Sequence, residues 1–391
     1  MKDYAAAHEA EYGDAAEIVV SAPGGITLMG SHTEVSGGPV LRSAIPQRMW
    51  VAMSRRSDSS LRFYAADYDE RKRTSIPNLK YRREDRWANV LKGAIAELLG
   101  TGVALSGLNL TVGGDVPADA GLSASAAIAV ATLAGLRELF SLDIADQELW
   151  ICAKRGETGY SPRSSGLAPF ASAHLARDGY AVLFDTRFDE PQLIPLELGS
   201  AVLEVTVAGV PQLPTESTFS ARARECRQGL SVLSRRRRGS ALGDYRVSEI
   251  NEEMGRMPET VRRRCMHVIQ EGRRVGEVAQ ALMHGRLQEA GRHLSHSHQS
   301  LRDQYEVSCP EVDWIVKHVA GIEGVYGARL AGGGFGGSTV TLLESDARAA
   351  YHEVLENYHR IFGFRTDTFV ASPAGGVNVQ WRENANTADQ R

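Results

Sequence analysis

Cysteine is scarce in this sequence, and no hydrophobic run is long. Four cysteines occur in 391 residues, far apart and without metal-ligand or disulfide-framework spacing: Cys152, Cys226, Cys265 and Cys309. No apolar run approaches the roughly 20 residues that a membrane-spanning helix needs. Residues 1–14 are polar and acidic, unlike a signal peptide. We therefore expect a soluble, cytoplasmic protein in a reducing compartment, with no chemistry that depends on sulfur.

An excess of positive charge is missing as well. Lys and Arg total 44 against 48 Asp and Glu, which gives a formal net charge of −4. This balance argues against a whole-chain attraction to nucleic acid or to an anionic membrane. We interpret the arginine clusters at 235–238 and 262–264 as solvated faces of amphipathic helices. The expected partner is a small molecule, with no nucleic acid and no membrane.

What is present is a mixed pattern of strands and helices. Residues 17–23 predict a strand that runs into a loop at a Pro-Gly pair, and residues 61–68 and 108–112 predict further strands. Residues 87–100 have apolar side chains at helical spacing, with Gly100 as a C-terminal cap. The alternation continues along the chain and predicts an α+β or α/β class.

The chain is long enough for two packed domains. The least patterned region is 186–200, which contains Pro191 and Pro195. Placing the boundary there predicts an N-terminal lobe over 1–195 and a C-terminal lobe over 196–383. Residues 384–391 are polar, and we expect a disordered tail there.

Residues 113–127 form the segment with the clearest physical meaning. They follow a predicted strand and precede an Ala-rich helix that extends to about Phe140. Glycines let backbone amides converge, and a helix N-terminus adds N–H groups and a favourable dipole, so this segment suits a phosphate. It lacks the Gly-Lys-Ser/Thr ending of the common nucleotide loop. From composition alone, a tight turn before a helix of small residues fits equally well.

Two further glycine-rich segments lie near the ends of the chain. Residues 22–38 read APGGITLMGSHTEVSGG, and residues 324–338 read GVYGARLAGGGFGGS. With residues 113–127 they resemble, in order, the three motifs of the GHMP kinases, and among these the galactokinases most closely. The stretches 87–93 and 300–311 are similar to galactokinase segments too. The resemblance extends over nearly the whole chain.

The resemblance implies a fold of two lobes with ATP and Mg²⁺ between them. The N-terminal lobe would resemble ribosomal protein S5 domain 2, and the C-terminal lobe would be ferredoxin-like. Phosphates would lie on the loop within residues 113–127, called the central loop below. Adenine would lie near Trp87, and a sugar near the first motif, residues 22–38. The indole of Trp87 fits stacking on adenine and anchoring of a helix in the core equally well.

The same resemblance assigns candidate site residues. The nucleotide-binding set is Trp87, Pro117, Gly121, Leu122, Ser123, Ala124, Ser125 and Ala126. The substrate-binding set is Ser31, His32, Glu34, Gly37, Gly333 and Gly334. The metal-binding set is Ser125 and Asp119.

The sequence departs from the family at the two positions that carry the chemistry. Galactokinases have an arginine where this chain has Gly25, and an aspartate where it has Ala168. No catalytic residue can therefore be assigned by the resemblance. Three hypotheses follow: a sugar kinase with an altered substrate or mechanism, a catalytically inactive sensor of the same family, and a structural protein that only retains the fold. Restoring both residues, by Gly25→Arg with Ala168→Asp, is predicted to create catalysis if the protein is a vestigial kinase.

Overall fold

The structure is a computed structural model that describes residues 2–161, 165–187, 190–210 and 216–382. Strands from the first half of the chain form one sheet, which a single strand from near the end completes. These strands are β1 (Ile18–Met29), β2 (Val40–Arg55), β3 (Ser60–Ala65), β4 (Glu70–Ser75), β5 (Leu108–Gly114), β6 (Tyr180–Phe184), β7 (Gln192–Pro195) and β12 (Asn378–Trp381). The sheet order is β12-β1-β2-β5-β3-β4, and β6 pairs with β2 and β7.

A second, antiparallel sheet has the order β11-β8-β10-β9. Its strands are β8 (Ala201–Val207), β9 (Val325–Ala331), β10 (Ser338–Glu344) and β11 (Asp367–Val370). Although β12 falls inside the range predicted for the C-terminal lobe, it pairs with β1 in the first sheet. The division into lobes stays a prediction, and the predicted tail at 384–391 lies outside the described residues.

Helices cover both sheets. Those of the first half are α1 (Tyr4–Tyr12), α2 (Ala88–Gly100), α3 (Ala124–Leu139), α4 (Asp146–Tyr160) and α5 (Ala168–Leu175). Those of the second half are α6 (Glu216–Leu233), α7 (Val247–Glu252), α8 (Glu259–Met283), α9 (Leu287–Ser300), α10 (Pro310–Val319) and α11 (Arg348–Phe362). In the part of the chain that the structure describes, no helix is both long and apolar enough to cross a membrane.

The first core packs α2, α3 and α4 onto the first sheet. Apolar residues at helical spacing, among them Leu91 and Ile95 of α2, are fully buried there. The helix predicted over 87–100 is confirmed, although Thr101 rather than Gly100 is its C-cap. Alanines dominate the inward face of α3, so that this helix can approach β1 and β2 closely.

Strand β1 does not end where the sequence predicted. It continues through Pro23 and Gly24 to Met29, so the expected loop was wrong. The pairing of β1 with β2 is irregular between Pro23 and Gly25 and between Thr27 and Met29. These irregularities accommodate the proline and glycines, which disfavour a regular strand. Gly24 is required here, since a Cβ would lie 2.8 Å from the carbonyl oxygen of Leu122.

His8 of α1 is buried beneath the first sheet in its neutral form. Its Nδ1 lies 3.1 Å from Thr111 Oγ1, and its Nε2 lies 2.9 Å from Ser54 Oγ. Burial lowers the pKa of His8 to about 4, from 6.5. Between these values the unfolded chain binds the proton and the folded chain does not, so acid favours unfolding in this window.

We expect His8 to make stability depend on pH between 6.5 and about 4. The free energy of unfolding should fall with falling pH by up to about 1.4 kcal/mol per pH unit for this residue. Urea unfolding of the wild type and of His8→Gln across that window measures the effect, and the variant should show the shallower dependence. Equal slopes for the two proteins would contradict the assignment.

Candidate active site

The first two glycine-rich segments are in direct contact. The backbone N–H of Gly25 on β1 donates to the carbonyl oxygen of Leu122 at 2.9 Å. Ser123 Oγ lies 3.4 Å from the carbonyl oxygen of Gly25. The long strand β1 thus holds the loop that precedes α3 from one side.

The third segment packs on the same loop from the second sheet. Ser338 Oγ donates to the carbonyl oxygen of Ala120 at 2.9 Å. A Cβ on Gly332 would lie 2.9 Å from the carbonyl oxygen of Gly121, and one on Gly337 would lie 3.0 Å from that of Ala120. Only glycines permit this approach, so three segments that are distant in sequence meet around residues 120–123.

The central loop leads into an open helix N-terminus. Gly121 and Ser123 have left-handed backbones, with φ of 74° and 63°. Ser123 occupies the N-cap of α3, but its side chain makes no capping hydrogen bond. The N–H groups of the first turn are therefore available to an anion, and the dipole of this helix favours one.

The predicted nucleotide residues other than Trp87 lie together on this loop and the first turn of α3: Pro117, Gly121, Leu122, Ser123, Ala124, Ser125 and Ala126. Asp119 is on the same loop, exposed, with φ of 53°. Trp87 lies at the start of α2, where it packs against the first core and its Nε1 donates to Glu70 at 2.9 Å. Contact of these residues with a nucleotide stays a prediction.

Ser125 meets a buried carboxylate. Its Oγ donates to Glu157 Oε1 of α4 at 2.8 Å, and the backbone N–H of Ser165 donates to Glu157 Oε2 at 2.9 Å. Among the described residues no three or more His, Cys, Asp or Glu side chains gather as a metal cage. One carboxylate with a hydroxyl beside a loop that suits a phosphate fits Mg²⁺, which is usually held by one or two carboxylates and by substrate phosphates.

Arg42 of β2 brings a buried guanidinium to the loop. Its side chain is 5% exposed. Nη1 donates to Thr27 Oγ1 at 2.6 Å, and Nη2 donates to Ser123 Oγ at 2.7 Å. A Cβ on Gly25 would lie 3.2 Å from Arg42 Nη2. Burial lowers the pKa of Arg42 to about 10, so the guanidinium stays charged at neutral pH.

Glu34 brings a carboxylate to the start of α5. It accepts hydrogen bonds from the backbone N–H groups of Leu167 and Ala168, the latter at 3.2 Å from Oε1. Gly166 leaves room for it, since a Cβ there would overlap the carboxylate. Burial raises the pKa of Glu34, and the two amides and the charge of Lys154 oppose that rise.

The other predicted substrate residues surround an aromatic cluster and the third segment. His32 stacks on Tyr305 and Phe219, with ring centroids 4.6 and 5.7 Å apart. Burial lowers the pKa of His32 to about 3, which keeps the imidazole neutral. The backbone of Gly333 faces this ring.

The two remaining glycines of the substrate set are close to second-half residues. A Cβ on Gly37 would lie 2.8 Å from the Cβ of Ala241, and one on Gly334 would lie 2.3 Å from the carbonyl oxygen of Val307. Both have positive φ, of 73° and 105°. Contact of these glycines, of His32 and of Ser31 with a substrate stays a prediction.

A fully buried ion pair fixes the segment that carries His32. Glu271 of α8 accepts from the backbone N–H of Gly30 at 3.2 Å and from Ser297 Oγ at 2.7 Å. Arg329 of β9 lies 3.3 Å from the same carboxylate, and it donates to the hydroxyl of Ser31. The end of β1 is thus held by side chains of the second half of the chain.

The sequence analysis did not identify Arg42, Glu157 or the pair of Glu271 and Arg329. A weak signal existed for Arg42, because an arginine interrupts the otherwise uncharged run 40–46. Glu157 gave no comparable signal, since its partner Ser125 is 32 residues away and one charge in an amphipathic helix is ordinary.

Three family models match the chain. They are the galactokinase galactose-binding signature at residues 6–55, the GHMP kinases N terminal domain at 89–174, and the GHMP kinases C terminal model at 278–360. These ranges contain the whole of the first segment, the central loop and the third segment. The order and the positions agree with the resemblance described above.

Whole-chain comparisons agree with these models. A galactokinase of Roseiflexus sp. (strain RS-1) is 33% identical over 368 residues, which cover 94% of each chain. One of Thermotoga maritima is 31% identical, with 88% of this chain and 95% of the relative covered. The crystal structure of Lactococcus lactis galactokinase with galactose superposes with a TM-score of 0.91 at 26% identity, covering 96% and 98% of the two chains. A mevalonate kinase structure, with a TM-score of 0.61 and 14% identity, shares the fold.

Proposed function

The chain belongs to the galactokinase family of the GHMP kinases, and we propose that it transfers the γ-phosphoryl group of ATP to a hydroxyl group of a sugar. The observation that carries this proposal is the meeting of three glycine-rich segments at the uncapped N-terminus of α3, with Arg42 beside them. Positioning and positive charge around the phosphates are what phosphoryl transfer chiefly needs.

The residues of the loop bind and orient the nucleotide. Backbone amides of residues 121–126 hold the phosphates, and the α3 dipole adds to this attraction. Ser125 and Glu157 are the residues that would hold Mg²⁺. When bound, the metal neutralises charge on the β- and γ-phosphates. Trp87 stacks on the adenine in this proposal.

The acceptor is proposed to be a hexose such as galactose, or a close analogue. Support comes from the match to the galactose-binding signature and from the Lactococcus lactis structure, which contains galactose. His32 stays neutral and donates to or accepts from a sugar hydroxyl. Ser31 replaces a glutamate of the family motif, and Arg329 already engages its hydroxyl, so the specificity for the sugar differs from that of typical galactokinases.

The test is ATP turnover over a panel of sugars with purified protein and Mg²⁺. ADP release with galactose or another hexose, above the rate without a sugar, supports the proposal. Calorimetric binding of ATP and sugar without turnover on any member of the panel would contradict it and favour the inactive sensor. For substitutions of Glu157, the matched control is Glu148→Gln, an exposed position on the same helix, and this variant should keep wild-type turnover.

A further inference from the structure

We infer that Arg42 and Glu34 form the catalytic charge pair of this kinase, in place of the arginine and aspartate whose family positions are Gly25 and Ala168. The inference rests on the proposed function, since it assigns roles within that same reaction. Both side chains come from other positions of the sequence and lie beside the backbone of Gly25 and of Ala168.

Arg42 is placed to stabilise charge on the phosphoryl group that is transferred. Its Nη2 contacts Ser123, the residue at the N-cap of α3 where the phosphates bind in the proposed function. Its Nε is buried and has no hydrogen-bond partner among the described residues. A buried guanidinium with an unsatisfied N–H is costly unless an anion completes its set of partners. Phosphate oxygens on the loop are such an anion.

The guanidinium of Arg42 lies beside the place where a side chain at residue 25 would begin. A side chain at residue 25 would start 3.2 Å from Arg42 Nη2 and 3.3 Å from the carbonyl oxygen of Ser43. A side chain at residue 25 would therefore crowd the guanidinium of Arg42. The glycine at this position is what lets a guanidinium on the neighbouring strand reach the loop.

Glu34 occupies the corresponding place at Ala168. Its carboxylate is bound by the N–H groups of Leu167 and Ala168, at the first residue of α5. An aspartate at residue 168 would bring a second carboxylate next to that of Glu34, and the two negative charges would repel each other. Gly166 provides the space that the longer side chain needs.

The two charges also act on each other. The charge of Glu34 raises the pKa of Arg42, and that of Arg42 lowers the pKa of Glu34. Burial has the larger effect on Glu34 and leaves its pKa raised. A carboxylate with a raised pKa is a better proton acceptor near neutral pH. The pair thus unites a stabilising cation and a base at one end of the central loop.

The step balances with the substrates already named. The sugar hydroxyl oxygen forms a bond to the γ-phosphorus of ATP while the bond from that phosphorus to the β–γ bridging oxygen breaks. ADP leaves with the electron pair of the broken bond. The hydroxyl proton moves to a carboxylate oxygen of Glu34 and then to water. Arg42 holds oxygens of the transferred group through its guanidinium.

The first test is removal of each charge at nearly constant size. Arg42→Met and Glu34→Gln should each lower kcat for the best sugar by about 10²-fold or more, while the affinity for ADP changes by less than about tenfold. The exposed residues Arg55 and Glu356 provide matched controls, and Arg55→Met and Glu356→Gln should leave kcat unchanged. Thermal unfolding identifies any variant that has lost its fold.

The second test moves the guanidinium back to the first motif. Gly25→Arg alone should lower kcat, because the new side chain crowds the guanidinium of Arg42 and its positive charge repels it. The double variant Gly25→Arg/Arg42→Ala should have a kcat at least about tenfold higher than that of Arg42→Ala alone. A purely structural role of Arg42 would not produce this rescue. If Arg42→Met does not fold, the kcat values of Arg42→Lys, which keeps the charge, and of the double variant are compared with that of the wild type instead.

The outcomes separate the two proposals. If the wild type phosphorylates a sugar but folded Arg42→Met and Glu34→Gln match its kcat, the charge-pair inference is wrong and the kinase assignment stands. If the wild type turns over no sugar, the kinase assignment fails and the charge pair fails with it. Loss in both variants, with recovery in the double variant, supports the inference.

Discussion

Replacement of Glu157 by glutamine is expected to lower magnesium-dependent sugar phosphorylation by about 10³-fold, since a metal in such a site supplies several kcal/mol of charge stabilisation. Glutamine keeps the size of the side chain and can still accept from Ser125, which lies 2.8 Å from Glu157 Oε1. The variant removes the negative charge that a divalent cation requires. The substitution should therefore weaken the binding of Mg²⁺ and leave the fold intact.

Two measurements distinguish this cause from a general defect. Calorimetry of ATP binding should show that Mg²⁺ tightens binding to the wild type and has little effect on Glu157→Gln. Turnover of the variant should rise further than that of the wild type as Mg²⁺ is increased. If Glu157→Gln has wild-type turnover and an unchanged dependence on Mg²⁺, the proposed role of Glu157 as a metal ligand is wrong.

Arg329→Met is expected to have the largest effect on stability. The substitution leaves Glu271 buried without its fully buried partner from β9, and breaking such a buried pair typically costs about 3–5 kcal/mol. The guanidinium also donates to the carbonyl oxygens of Leu28 and Leu330, at 2.9 Å each, and these would be left unsatisfied. Arg274, 3.1 Å from Glu271, keeps part of the compensation.

Urea unfolding monitored by circular dichroism measures this loss. The matched control is Arg262→Met, which breaks the pair of Arg262 with the exposed Glu259 within α8 and should cost less than about 1 kcal/mol. The double variant Arg329→Met/Glu271→Met should be more stable than Arg329→Met alone, because no charge is then left buried. A loss below about 1 kcal/mol for Arg329→Met would show that the pair contributes little.

The local patterns of the sequence predicted much of the fold. Apolar spacing identified the helix at 88–100, and a strand followed by glycines and small residues identified the loop before α3. The Pro-Gly pair at 23–24 misled the analysis, because β1 tolerates both through irregular pairing with β2. Local propensity at these two residues was overridden by the strand on either side.

The charges of the site could not be predicted in the same way. Arg42 and Ser123 are 81 residues apart, and Glu34 and Leu167 are 133 apart, so their contacts exist only once the sheets and helices have packed. The motif comparison placed Gly25 and Ala168 at the positions where the family has charged residues, and this assignment stays a prediction. The sequence could not show that the side chains of Arg42 and Glu34 lie beside these two positions.

The return of β12 to the first sheet has a consequence for how the chain folds during synthesis. Residues 378–381 pair with residues 18–21 of β1, so this edge of β1 stays open until residues 378–381 have left the ribosome. An uncovered strand edge is a template for pairing with another nascent chain. The order of translation thus makes the closing strand a late protection against aggregation.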